Sequence, residues 1–166
     1  MAQLLVSVAQ IVMAVILGVI AAYLGVVLFN RATRHVDEWA EIQRGNAAMG
    51  LVVGSIILGI AFVLQSSLAI ELPADIGNRG PLYVLLAHAA GLIVSLLLAL
   101  IAIVFAAALF DKLTGQIDEL AELQRGNLAV AAMMSGLVLA VAWLMAGAMG
   151  QIMKWFVFLL PSFMSF

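Results

Sequence analysis

Four long runs of the chain contain no Asp, Glu, Lys or Arg. They cover roughly residues 4–29, 47–70, 82–110 and 128–150, and short polar stretches separate them. Each exceeds the ~20 residues that a helix needs to cross ~30 Å of hydrocarbon. The pattern predicts four membrane-spanning helices. The first run lacks a basic leading segment and is too long for the apolar core of a signal peptide, so it reads as a retained span.

The polar stretches repeat. "DEWAEIQRGN" (Asp37 to Asn46) and "DELAELQRGN" (Asp118 to Asn127) match at eight of ten letters, at an offset of 81. The same offset pairs Asn30-Arg31 with Asp111-Lys112, Thr33 with Thr114 and Val36 with Ile117. It also aligns the first apolar run with the third, which lies mid-chain and cannot be a cleaved leader. The chain therefore divides into a two-span unit at 1–72, a connector at 73–81, a second two-span unit at 82–153 and a hydrophobic aromatic tail at 154–166. The connector has turn chemistry in Pro73, Asp75, Gly77, Asn78, Gly80 and Pro81.

Each unit has an even number of spans, so both enter the membrane from the same side. The expected fold is all-α, with two tandem parallel hairpins related by a pseudo-two-fold axis along the membrane normal. Arg31, Arg34, Arg44, Lys112 and Arg125 lie on the side of the repeated segments, against Arg79 and Lys154 on the other. The basic excess places the repeated segments in the cytoplasm and both termini outside.

Composition agrees and adds exclusions. Of 166 residues, 66% are hydrophobic and 10% charged, and the mean hydropathy is +1.23. A soluble domain carries roughly 25% charged residues, so the solvent here is lipid. There is no cysteine, hence no disulfide or thiolate chemistry. The net charge of −2 argues against nucleic acid. No phosphate loop, zinc-type His-Glu pair or nucleophile elbow is present, which argues against an enzyme, and no cofactor or metal is expected.

The even-numbered spans carry small residues four apart: Gly50 with Gly54, and Ser55 with Gly59. The second copy repeats this with Ala131 and Ser135, and with Gly136 and Ala140. Such spacing lets helix backbones approach in lipid. It predicts close packing of span two against span four.

The repeated polar segment reads as a short amphipathic helix from Thr33 to Gln43, with Thr33 and Thr114 as candidate N-caps. Val36, Trp39, Ala40 and Ile42 fall mostly on one side; Arg34, Asp37, Glu38 and Glu41 fall mostly on the other. Trp39 suits a membrane interface. In the second copy Ile117, Leu120, Ala121 and Leu123 oppose Asp118, Glu119 and Glu122. Gly45 and Gly126 break the helix, and Asn46 and Asn127 can cap the next span. Capping alone would accept Ser, Thr or Asp, and it does not explain why Glu41, Gln43 and Arg44 recur as Glu122, Gln124 and Arg125. A functional alternative is that the Glu and Asn of both copies form a cation-attracting ring at a cytoplasmic mouth.

Two paired spans in tandem, each joined through an acidic segment ending Glu-x-Gln-x-Gly-Asn-x-Ala, resemble the YjfL-like family of bacterial inner-membrane proteins, whose repeat is a domain of unknown function numbered 350. Asp37 to Ala48 and Asp118 to Ala129 carry the resemblance, which covers nearly the whole chain. It implies a four-span inner-membrane protein and no established activity, with the tail from Gln151 an extension beyond the typical domain.

Outside the repeat, His88 is an ionisable residue within a span, a candidate proton relay or a neutral helix-bonded ring. His35 stands before Asp37, Glu38 and Glu41, but Gln116 replaces it in copy two, which argues against a metal site. Gln10 and Gln65 can hydrogen-bond between helices. The tail from Lys154, with Trp155, is expected to lie on the outer leaflet and to end at Pro161. The functional reading is a non-catalytic membrane subunit or scaffold. It would self-associate as a homo-oligomer or bind a membrane or cytoplasmic protein partner through the acidic segments. The alternative is a small oligomeric channel or transporter.

Overall fold

The structure is a computed structural model that describes residues 2–32, 37–68, 80–115 and 118–163. The described residues form six helices. Four are long: α1 (Ala2–Ala32), α3 (Ala47–Leu68), α4 (Pro81–Thr114) and α6 (Leu128–Phe163). Two are short: α2 (Glu38–Gln43) and α5 (Glu119–Gln124). All four long helices are long and apolar enough to cross a membrane. The protein is an all-helical integral membrane protein, as the charge-free runs require.

The most extensive helix pairing is α3 with α6, followed by α1 with α4. Span two thus packs on span four, as the repeat predicts. α3 is the core helix. In its most apolar stretch 56% of residues are buried, against 17% in α1, which therefore gives most of its surface to lipid. Val52, Ile56, Ile60 and Val63 form the buried stripe of α3. Lipid tails are as apolar as these side chains, so transfer from water drives little here. Close van der Waals contact and hydrogen bonds hold the helices together.

The small-residue pattern is only half right. Gly59 is buried, and a Cβ added there would meet the Ala142 Cβ at 3.0 Å. Ser55, Ala131 and Ser135 are also buried. Gly50, Gly54 and Gly136, however, have open space where a Cβ would stand, and Ala140 is exposed. One face of α3 meets α6, and Gly50 and Gly54 lie off it. Spacing in the sequence sets the stripe but not the rotation of the helix. Gly25 of α1 also needs its missing side chain: a Cβ there would run into the Ile60 Cδ1 and come within 3.0 Å of the Ile103 Cδ1.

Matched positions do meet across α3 and α6. Phe62 and Trp143, one offset apart, pack edge to face with centroids 6.1 Å apart and planes at 84°. The helix pairing does not follow the expected two-fold relation throughout. α3 packs on α4, but its equivalent pair, α1 with α6, makes no comparable contact.

Two helix ends differ from expectation. α4 continues to Thr114, four residues past the apolar run, with the Thr114 Oγ1 donating to the Phe110 carbonyl at 2.7 Å. Thr114 therefore ends a helix rather than capping the next. α6 runs unbroken through Lys154 and Pro161 to Phe163. Pro161 forfeits one backbone bond near the end of the helix without stopping it. Thr33, Arg34, His35, Val36, Gln116, Ile117, Arg79 and the connector up to Arg79 lie outside the described residues.

Candidate functional site

Each repeated segment is built from three consecutive caps. Asp37 is the N-cap of α2: its Oδ1 accepts from the Ala40 N–H at 3.0 Å. Asp118 does the same for α5 with Ala121 at 3.1 Å. The short helices therefore start at Asp37 and Asp118. Aspartate caps well, and its charge faces the positive helix end.

The helices stop at the glycines. Gly45 has φ +83° and Gly126 φ +80°, the left-handed region in which a Cβ is strained. The Gly45 N–H donates to the Ile42 carbonyl and the Asn46 N–H to the Glu41 carbonyl. Gly126 and Asn127 repeat both bonds with Leu123 and Glu122. This paired closure satisfies carbonyls that a helix end would otherwise leave bare.

Asn46 and Asn127 then start the long helices. The Asn46 Oδ1 accepts from the Met49 N–H at 3.1 Å. The Asn127 Oδ1 accepts from Ala129 at 3.1 Å and Val130 at 3.4 Å. So far any capping residue would serve. The amide nitrogen is what distinguishes asparagine. The Asn46 Nδ2 donates to Glu41 Oε2 at 3.1 Å, and the Asn127 Nδ2 donates to Glu122 Oε2 at 2.7 Å. The other carboxylate oxygen takes the arginine: Arg44 to Glu41 at 3.0 Å and Arg125 to Glu122 at 2.7 Å. Glu-x-x-Arg-Gly-Asn is thus one closed loop of polar bonds, made twice. It accounts for the recurrence of Glu, Arg, Gly and Asn. Both arginines remain about three-quarters exposed, so the ion pairs themselves add little stability. The Asn127 amide, then the Arg125 guanidinium, hold the Glu122 carboxyl below its usual range.

One bond breaks the symmetry. The Asn46 Nδ2 also donates to the Leu123 carbonyl at 2.8 Å and lies 3.3 Å from that of Gln124. Copy one is thereby tied to the C-terminus of α5 in copy two. The amide bond of Asn127 goes to Glu122 in its own copy.

The remaining candidates separate. Glu38 is fully buried, not on a solvated face as the amphipathic reading has it. Its equivalent Glu119 is half-buried. Trp39 is 53% exposed. Gln43 and Gln124 are exposed. The alternative ring of Glu41 with Glu122 and Asn46 with Asn127 is not how these groups are bonded: each carboxylate is taken by its own arginine and asparagine.

His88 lies apart from this site, toward the opposite end of the bundle. Its Nδ1 is 2.9 Å from the Val84 carbonyl and 3.1 Å from the Gln10 Nε2 on α1. With Nδ1–H donating to Val84, the ring Nε2 at 3.5 Å is the acceptor left for the Gln10 amide. That pairing links α1 to α4 through a half-buried ring. Sequence reading named both residues without joining them, since their separation of 78 departs from the repeat offset of 81. Among the described residues no three His, Asp or Glu side chains gather as a metal site would require.

A family model described as Domain of Unknown Function (DUF350) matches residues 3–149 of the chain. No curated protein and no solved structure matches it.

Proposed function

We propose that this chain, which belongs to the DUF350 family, is a non-catalytic membrane subunit. It associates with copies of itself or with partner proteins through the membrane face built by the two repeated segments. The observation that carries this reading is the division of labour within the repeat. Glu41, Asn46, Glu122 and Asn127 are consumed by internal bonds. Gln43 and Gln124 recur identically yet stand exposed beside the exposed Arg44 and Arg125. A polar pair presented twice and exposed, with no bond among the described residues to the glutamine side chain, suits recognition by another protein.

The channel alternative loses support for the same reason. Carboxylates already paired with arginine and amide offer a passing cation little. The basic excess still favours placing this face in the cytoplasm of a bacterial inner membrane.

A photoreactive residue placed at Gln43 or at Gln124 tests the reading in native membranes. Discrete crosslinked species are expected from both positions and not from Leu58, which is exposed on α3. Absence of crosslinks at both, together with cation flux from purified protein in liposomes, would overturn it.

A further inference from the structure

A cavity of about 330 Å³ opens on the side of the bundle between α3 and α6. Phe62, Gln65, Ser66, Trp143, Ala146 and Gly147 line it. These are three matched pairs of the repeat: 62 with 143, 65 with 146, 66 with 147. The copies have diverged here in a complementary way. Copy one carries an amide and a hydroxyl where copy two carries a methyl and a hydrogen. A Cβ added at Gly147 would meet nothing, so the space is real and unfilled by its neighbours.

The cavity is graded along the bilayer normal. α3 and α6 run in the same direction, away from the repeated segments. Phe62 and Trp143 therefore lie deeper, and Gln65 and Ser66 lie about one turn nearer the opposite membrane face. The Ser66 Oγ donates to the Val63 carbonyl at 2.6 Å, which leaves its lone pairs as acceptors. Trp143 is 69% exposed and Gln65 is exposed, so the opening faces the surrounding lipid. An aromatic floor with an amide at the rim matches one kind of molecule that is always present there. It is an amphiphile with its chain pointing inward and its polar linkage at the membrane surface.

We propose that this cavity holds one phospholipid from the leaflet opposite the repeated segments. An acyl chain lies against Phe62 and Trp143, and an ester carbonyl accepts from the Gln65 amide. The volume falls at the small end of ligand sites. It admits part of one chain, and the rest of the lipid stays in the bilayer. Retention depends on the shape made by Ala146 and Gly147.

Native mass measurement of the full chain, after exchange into a delipidating detergent, tests this. One phospholipid per chain is expected to stay bound. Ala146→Leu with Gly147→Leu fills the space and is expected to abolish retention. Gln65→Leu is expected to lower it about fivefold, the equivalent of one hydrogen bond. Val12→Leu, on the exposed face of α1, is the control and leaves retention unchanged. Each variant is scored only if its helical signal and monodispersity match those of the native chain. If the filled variant does not fold, the Gln65→Leu result decides alone. The proposal fails if no lipid is retained, if retention survives both changes, or if the mass is that of a protein dimer which Gly147→Leu converts to monomer.

Discussion

Asn46 offers a test in which two explanations predict different costs. If it only caps α3, then Asp and Ser should replace it at little cost, since both cap about as well. The structure gives it a second job as a donor to Glu41 Oε2 and the Leu123 carbonyl. Asn46→Ser keeps the cap and loses the donor. The bond to a carboxylate is worth about 1.5–3 kcal/mol, and a neutral one about 1 kcal/mol. The Leu123 carbonyl keeps the Gly126 N–H at 3.0 Å, so its own loss falls at the low end. A total of about 2–3 kcal/mol follows for Ser. Asn46→Asp keeps the cap but sets a second carboxylate against Glu41, whose side chain is only 15% exposed. Two like charges 4 Å apart repel by up to about 4 kcal/mol near a protein surface, less what salt screens. Asp should therefore be worse than Ser, by about 1–2 kcal/mol at neutral pH. The gap should close in acid as the new carboxylate takes a proton. Equilibrium unfolding in mixed detergent micelles measures all three chains. Asp equal to Asn would refute the donor role, and Asn127→Ser costing as much as Asn46→Ser would refute the crossing bond.

Three further outcomes follow from the same geometry. Gly59→Val forces α3 off Ala142 and is expected to destabilise by about 1–3 kcal/mol, while Gly54→Val, with open space, stays within about 0.5 kcal/mol, read by the same unfolding assay. Gly126→Ala places a Cβ at φ +80° and should cost about 1–2 kcal/mol, which is more than Ala47→Gly at the start of α3. The Glu122 carboxyl titrates below its ordinary 4.5 in the folded chain, so its stabilisation is complete above that value and fades as pH falls through the lowered one; Glu122→Gln should lose that portion of the acid dependence, seen as a flatter stability profile below pH 4.5.

The spans were legible because charge is so costly in lipid that its absence over twenty residues has few other causes. The duplicated segment was legible because polar letters are rare against that background. Its internal logic was only partly so. Asp37 and Thr33 are both good caps, and periodicity could not choose between them. The amide of Asn46 bonds to a residue 77 positions away, and no local pattern encodes that partner. The small-residue stripe was only half right for a physical reason. A helix in lipid is apolar all round, so its composition carries little sign of which side meets protein. On α1, Gly25 follows Gly18 by seven residues, and their composition alone did not single out Gly25 as the close contact. Gln43 and Gln124 keep their identity without a role inside the fold.

The crossing bond also has an order in time. The N-terminal hairpin leaves the ribosome first. By then Asn46 can already have closed on Glu41 and capped α3, with Leu123 not yet synthesised. Its amide is held in place before its second acceptor arrives. When the second hairpin inserts, the carbonyls at the end of α5 meet a donor whose freedom has already been given up, so little side-chain entropy remains to oppose docking. The duplicated hairpins are alike in letters, but the crossing bond puts the donor in the hairpin made first and the acceptor in the one made second.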